Sequence, residues 1–409
     1  MVPVIATSCT DPAPEPELTW EPDPLVVATC ERAMACGVMT TIGIPDAVVC
    51  ARVIEEHANT TEWKQWMTGC LEPDSCTEFR QCVTGNSCDD VAVSGWTTAC
   101  VDVSAAFAYD GTQLALHTNQ PPVLATSDAT GVRVYAAGDT NWTAIPPVAA
   151  SELLAMTTDS SGTAHVLYTD SATGGLHYSS RTTEWTPAER IAQSGAMASM
   201  VVGVDDTIHV LFSNARVHYG VRAPSGWTIE TVSDVDAVST HVAVDGDGGV
   251  HVAIVELTSF IDAVFHYAKR SEDGSWPLSR TTLELAALRL PTVRLAIASS
   301  GAPQAFVSGL YGQRISGAWV FDDTGFNDDL SLETPTLAID NSGVAHLAFR
   351  SDFTTTYAAR SPGGPWQRMA VFENAVSPTL AVDASGQPHL AFVERKGALI
   401  DLIRYLRPQ

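Results

Sequence analysis

Through the C-terminal three-quarters of the chain, short apolar runs recur in pairs, each pair flanking a turn of Asp, Ser and Gly. The pattern is clearest in TLAIDNSGVAHLAFR (336–350) and TLAVDASGQPHLAFV (379–393). It returns with drift in AMTTDSSGTAHVLY from Ala155, VGVDDTIHVLF from Val202, HVAVDGDGGVHVAIV from His241 and RLAIASSGAPQAFV from Arg294. Asp and Ser supply local side-chain acceptors and Gly tolerates positive φ, so each segment is predicted to be a β-hairpin. The paired runs alternate little, as expected of strands buried on both faces. A third run carries Tyr178, Tyr219, Tyr267, Tyr357 or Tyr405, and a fourth carries Trp. Each unit therefore reads as four short antiparallel strands.

The tryptophans set the period. Trp96, Trp142, Trp185, Trp227, Trp276, Trp319 and Trp366 are spaced by 42 to 49 residues. A unit of that length cannot bury its own apolar surface and must stack on neighbours. The last unit, from Pro378, ends at Gln409 without a Trp, whereas SGWTTACV at 94–101 is an orphan Trp strand ahead of the first complete unit. The two ends are predicted to complete one blade, giving an all-β seven-bladed propeller clasped into a ring with no open sheet edge. The AVDxxGxxH phrase and the blade Trp resemble seven-bladed propellers of the sialidase-like and NHL-like type, over roughly 91–409. That resemblance implies architecture; propellers host many unrelated functions.

Before residue 91 the pattern changes. Residues 11–24 read DPAPEPELTWEPDP, an acidic, proline-rich spacer expected to be extended. From Leu25 the periodicity is helical: LVVATCERAMACG stops at Gly37, PDAVVCARVIEEHA starts at Pro45, and two shorter helices follow Asn59 or Thr60 and Asp74. All nine cysteines lie at or before position 100, at Cys9, Cys30, Cys36, Cys50, Cys70, Cys76, Cys82, Cys88 and Cys100. Spacings of six miss the close ligand pairs of zinc sites, so a disulfide framework in an oxidising compartment is expected. The small helices need such staples. MVPVIATSC resembles the tail of a bacterial lipoprotein signal, which would make Cys9 the site of lipid attachment, although Val2 to Ala6 is short for an h-region. The expected organisation is a leader remnant and spacer at 1–24, a helical Cys-rich domain at 25–90, and the propeller at 91–409.

A net charge of −25 disfavours nucleic acid and anionic lipid headgroups, leaving a membrane connection only through a lipid anchor. His165, His209, His251, His346 and His389 share one repeat position, six residues after Asp159, Asp245, Asp340 and Asp383 in four units. A ring of imidazoles could bind metal, but a residue fixed by its repeat position is expected to satisfy its own hairpin. The fifth unit has Ala298 and Gln304 there. His177, His218 and His266 precede the third-strand Tyr and should face solvent on the opposite side. Asp245 and Asp247 read as turn residues rather than calcium ligands, and Asn59 and Asn141 begin glycosylation sequons. The sialidase-like resemblance implies an arginine triad, a Tyr paired with Glu and an acid Asp. No FRIP-like motif is present, and SEDGSW at 271–276 is shorter than that family's Asp box. Arg294, Arg350, Glu256 and Glu394 are available without an evident convergence.

No catalytic, cofactor-binding or metal-binding residue is assigned, and no cofactor is expected. The functional expectation is a monomeric, secreted or surface-anchored binding protein recognising a glycan or protein ligand. The alternatives are a glycan-active hydrolase or lyase on the same fold, or a structural envelope component.

Overall fold

A computed structural model describes residues 23–35, 71 and 95–409, apart from short stretches at 106–111, 117–120, 129–130, 138–141, 149–151, 171–172, 224, 260–261, 286–290, 327–332, 352 and 397–399. Among the described residues, seven four-stranded antiparallel sheets form a seven-bladed propeller. Blades 1 to 6 take their strands in chain order, at 112–148, 152–192, 196–233, 237–284, 293–323 and 333–373. Blade 7 is composite. Its three inner strands are Ala375–Val382, Pro388–Lys396 and Ile400–Pro408, and its outermost is Trp96–Ala105, with Trp96 opposite Pro408. A backbone ladder thus joins the two ends of the repeat array, and the ring opens only if that ladder breaks.

The expectation that no sheet edge stays open is corrected by the strand order. Closure removes the terminal blades, yet each fourth strand still bonds on one side only and forms an outer edge. These edges are short and rich in exposed charge, as in Ala318–Asp323 and Gln367–Glu373, which discourages pairing with another chain.

Burial follows the predicted strand roles. Second strands such as Ile208–Ser213 and Pro303–Val307 are buried throughout, sandwiched between neighbouring blades. The six hairpin turns after the first strands of blades 2 to 7 share one backbone. The N–H of Asp159, Gly203, Asp245, Ala298, Asp340 or Asp383 bonds to the carbonyl four residues on. The residue three positions on is left-handed, with Gly in five turns and Asp206 at φ 62° in blade 3.

The repeat aromatics join one blade to the next. Trp227, Trp276, Trp319, Trp366 and Trp96 stand edge-to-face on Tyr178, Tyr219, Tyr267, Tyr311 and Tyr357 of the preceding blade, at centroid distances of 5.3, 5.2, 5.1, 5.2 and 5.5 Å. This geometry aligns ring edge with π-face and adds to the area buried. Trp185, Trp276 and Trp366 stand in the approach to the fourth strand rather than inside it, because those strands begin only at Glu189, Ser279 and Gln367. At two seams the rim is also ionic: Glu189 takes Arg222 and the Trp227 indole N–H, and Glu230 takes Arg270 and the Trp276 indole N–H. The buried Trp319 and Trp366 indole nitrogens have no such acceptor among the described residues.

Ahead of the propeller, one helix is described, Pro24–Ala35. It starts inside the acidic spacer. Asp23 Oδ1 accepts the Leu25 N–H at 2.9 Å, and Pro24 takes the first helical position, where its missing N–H costs nothing. Cys30 in this helix and Cys100 in the outermost strand of blade 7 each take part in a disulfide. The other cysteines, Cys9 included, together with Asn59, Asn141 and the remaining predicted helices, lie outside the described residues. No helix of the described residues is long and apolar enough to cross a membrane.

Candidate binding site in the central channel

Four of the repeat histidines form one relay each. Nδ1 of His165, His251, His346 and His389 lies 2.6, 2.7, 2.8 and 2.5 Å from the hydroxyl of Tyr178, Tyr267, Tyr357 and Tyr405. Nε2 lies 3.2, 3.0, 3.4 and 3.3 Å from Oδ2 of Asp159, Asp245, Asp340 and Asp383. A carboxylate only accepts, so Nε2 carries the ring proton and Nδ1 accepts from the tyrosine O–H. Burial lowers each histidine pKa, which keeps the ring neutral as this pattern requires. The other carboxylate oxygen accepts the turn's backbone N–H groups, as Asp245 does from Asp247 at 3.0 Å and Gly249 at 2.7 Å.

These histidines therefore serve their own blades. No group of three or more His, Cys, Asp or Glu among the described residues is placed to hold a metal ion. Two blades depart from the pattern. In blade 3, His209 keeps its tyrosine bond at 2.6 Å, but Gly203 replaces the Asp, and a Cβ there would stand only 2.8 Å from His209 Nε2. In blade 5, Tyr311 donates instead to Gln304 Oε1. The alternate-face histidines are less solvated than expected. His266 is buried with Nε2 3.0 Å from Glu256, and His177 and His218 lie half-buried over Tyr168 and Phe212, because neighbouring aromatic side chains cover that face too.

The innermost strands surround a cavity of about 160 Å³ on the propeller axis. Tracing strand pairing inward from the third-strand tyrosines Tyr135, Tyr178, Tyr219, Tyr267, Tyr311, Tyr357 and Tyr405 defines one tier of first-strand residues: Leu114, Ala155, Ser199, His241, Arg294, Thr336 and Thr379. All but Leu114 line the cavity. Most tier positions with an acceptor take a backbone N–H from the next blade. Ser199 Oγ accepts from Val242 at 2.9 Å, Thr379 Oγ1 from Leu114 at 3.1 Å, and His241 Nδ1 from Leu295 at 3.3 Å. Thr336 instead donates to the Pro378 carbonyl.

Arg294 breaks this rule, because a guanidinium has donors only. One of its nitrogens, Nη1, donates to its own blade's Val293 carbonyl at 2.9 Å, and no described carboxylate pairs with it. Its surface is only partly covered by the wall, yet the surrounding protein lowers its pKa to about 10 through loss of hydration, so it stays charged at neutral pH. Burial, and then the adjacent Arg294 charge, lower His241 to about 3, so that imidazole is neutral. With Nδ1 accepting, its proton resides on Nε2. Among the described residues, the channel wall carries this one cation and no Asp or Glu.

The other residues singled out in the sequence sit elsewhere. Glu256 pairs with His266, Glu394 holds Arg404 at 2.6 Å, and Arg350 lies 6.0 Å over the exposed Phe353 ring. The residues at 271–276 form a tight turn ahead of Trp276, in which Asp273 Oδ1 accepts the Ser275 N–H at 2.9 Å. The arginine triad and the Tyr, Glu and Asp set implied by the sialidase-like resemblance are not brought together: the described channel wall offers a single arginine, and the repeat tyrosines are hydrogen-bonded into blade cores. The tier had a readable signal. In blades 2 to 7 it lies four residues before the residue that opens the hairpin turn, and only Arg294 is charged there.

No family model matches the chain, and no curated protein matches it in sequence. Its structure is similar to virginiamycin B lyase from Staphylococcus aureus, with a TM-score of 0.50 at 11% identity, over 75% of this chain and 100% of that one. It is also similar to YCF48 bound to D1 peptide, with a TM-score of 0.49 at 11% identity over 78% of this chain and 98% of that one. The SapL1 lectin in complex with alpha methyl fucoside gives a TM-score of 0.44 at 14% identity over 64% and 96%. At 11% identity the likeness to virginiamycin B lyase shows the fold alone, the β-propeller.

Proposed function

We propose that this propeller is a binding protein that receives a glycan or protein ligand at the mouth of its central channel. The observation that carries this reading is the axial cavity. Seven first strands converge on it with hydroxyl, amide, imidazole and guanidinium groups beside apolar walls from Leu154, Met156 and Met200. A concave site with a few convergent polar groups is the usual form of a ligand pocket. A hydrolase or lyase would need a general acid or base within reach of the ligand; the described wall holds no carboxylate, and its one imidazole, His241, is held neutral by burial far below the pKa suited to that task.

The N-terminal sequence supports an extracytoplasmic location. Lipidation of Cys9, followed by the proline-rich acidic spacer, would hold the propeller off a membrane surface.

The test is a glycan array and a peptide array probed with the full chain and with a Gln113→Trp, Ala198→Trp variant that narrows the channel. Retained fold with lost binding is the expected result; identical binding by both proteins removes the ligand from the channel. Product release from a fluorogenic glycoside panel would favour the enzymatic alternative. Mass spectrometry after native expression decides the anchor: a diacylglyceryl adduct on Cys9 supports it, and an unmodified Cys9 rejects it.

A further inference from the structure

The tier around the channel is built to be neutral everywhere except at Arg294. Ser199, His241 and Thr379 use short acceptors to hold the neighbouring strand, whereas blade 5 places a long donor-only side chain there. A partly covered guanidinium without a carboxylate is unfavourable in a folded protein, since its lost hydration is not replaced. A ligand that brings the missing negative charge recovers that loss. The chain as a whole is at −25, so this cation in the channel stands against the prevailing field and is not part of a general basic surface.

We propose that Arg294 is the recognition group for a carboxylate on the ligand, and that the ligand is an acidic sugar. The proposal rests on the channel being the receptor site and names the chemistry of its occupant. A guanidinium presents a planar fork that matches the two oxygens of a carboxylate. One positive charge balances one carboxylate, while a phosphate dianion would leave a negative charge uncompensated in a poorly hydrated channel. The flanking groups suit a sugar. Ser199 and Thr379 accept backbone N–H groups through their oxygens, which leaves both hydroxyl hydrogens able to donate, and His241 Nε2 adds a third donor. The Gln113 amide, also on the wall, provides both a donor and an acceptor for ring hydroxyls. A peptide C-terminus would offer the carboxylate with a single backbone amide and little for these hydroxyls to bind.

Calorimetric titration of the full chain with glucuronate, glucose, and a short peptide with free or amidated C-terminus tests the assignment, using the parent protein, Arg294→Met and Arg294→Lys. Glucuronate should bind the parent at least tenfold more tightly than glucose. Arg294→Met should abolish that preference, and Arg294→Lys should keep only part of it because the fork is lost. Thermal melting checks that the variants fold, with Arg294→Met expected to melt at or above the parent temperature once an uncompensated charge is removed. Equal binding of glucose and glucuronate, unchanged in Arg294→Met, overturns the carboxylate assignment and leaves the channel as a receptor for a neutral glycan. Arg294-dependent binding of the free-C-terminus peptide without glucuronate overturns the sugar assignment. A sharp loss of melting temperature in Arg294→Met also overturns it, since Arg294 would then be compensated within the protein.

Discussion

Blades 4 and 5 are neighbours with the same turn backbone and different chemistry. Blade 4 has the complete relay: Asp245 accepts two turn N–H groups, His251 and Lys269, and His251 in turn takes the Tyr267 hydroxyl. Blade 5 has Ala298 and Gln304, yet Ala298 N–H still bonds to Ala302 and Gly301 still takes the left-handed conformation. Tyr311 remains buried with Gln304 as its acceptor. The relay is thus one solution to satisfying a buried tyrosine hydroxyl, not a requirement of the blade. The turn is secured by its backbone. The same two blades supply the two unusual channel residues, His241 and Arg294, so the polar inventory of this pair departs from the repeat both at the turn and at the axis.

Breaking the seam between these blades should have the largest effect. Trp319 of blade 5 packs on Phe265 and Tyr267 of blade 4, at centroid distances of 4.9 and 5.1 Å. Trp319→Ala is expected to cost about 3–5 kcal/mol, read by urea unfolding. A cost near zero would mean that the aromatic contact is not what joins the blades.

The relay comes next. Asp245→Ala leaves two turn N–H groups, His251 and Lys269 without their acceptor and should cost about 2–4 kcal/mol. The reciprocal change in blade 5, Ala298→Asp with Gln304→His, should alter stability by less than about 1 kcal/mol, because Tyr311 already has an acceptor. Equal and large effects in both blades would show that the blade 5 turn depends on its side chains as well as its backbone.

The smallest expected effect is a pH dependence of the blades that carry buried histidines, which blade 5 lacks. Burial lowers the pKa of His251, and turn and side-chain hydrogen bonds hold Asp245 well below the usual carboxylate range despite its burial. For a histidine lowered in the folded state, stability is full above the unfolded pKa of about 6.5 and declines as pH falls through it. The depressed Asp245 adds stability present above about pH 4, which is lost as pH falls toward its folded pKa. Both act in the same direction, so acid should loosen blade 4 first. Amide protection factors in 250–257, compared with those in 303–307 of blade 5, should fall between pH 7 and pH 5; a parallel fall in both strands would contradict the assignment.

The fold was legible because the repeat writes the same local physics in each blade. Asp and Gly mark the turn, unbroken apolar runs mark strands buried on both faces, and a displaced Trp96 marks the clasp now seen in the pairing of Trp96 with Pro408. The relay was half legible. The spacing of Asp and His implied a hairpin role, but the tyrosine partner is 11 to 16 residues further along the chain and meets the histidine only across paired strands. Arg294 was legible as the one charged residue at its offset from the turn. Its meaning depends on the neutral tier positions of the other blades, which surround it only once the ring closes.

What the sequence determined alone is what repeats: the number of blades, the turn chemistry, the buried strands and the ends that meet. These follow from local conformational preference and from apolar surface that each unit must cover with its neighbour. What only the tertiary structure decided is what happens once, at the axis. Residues 41 to 53 positions apart in the chain become one tier there, and a single charge becomes distinctive because the positions around it are neutral.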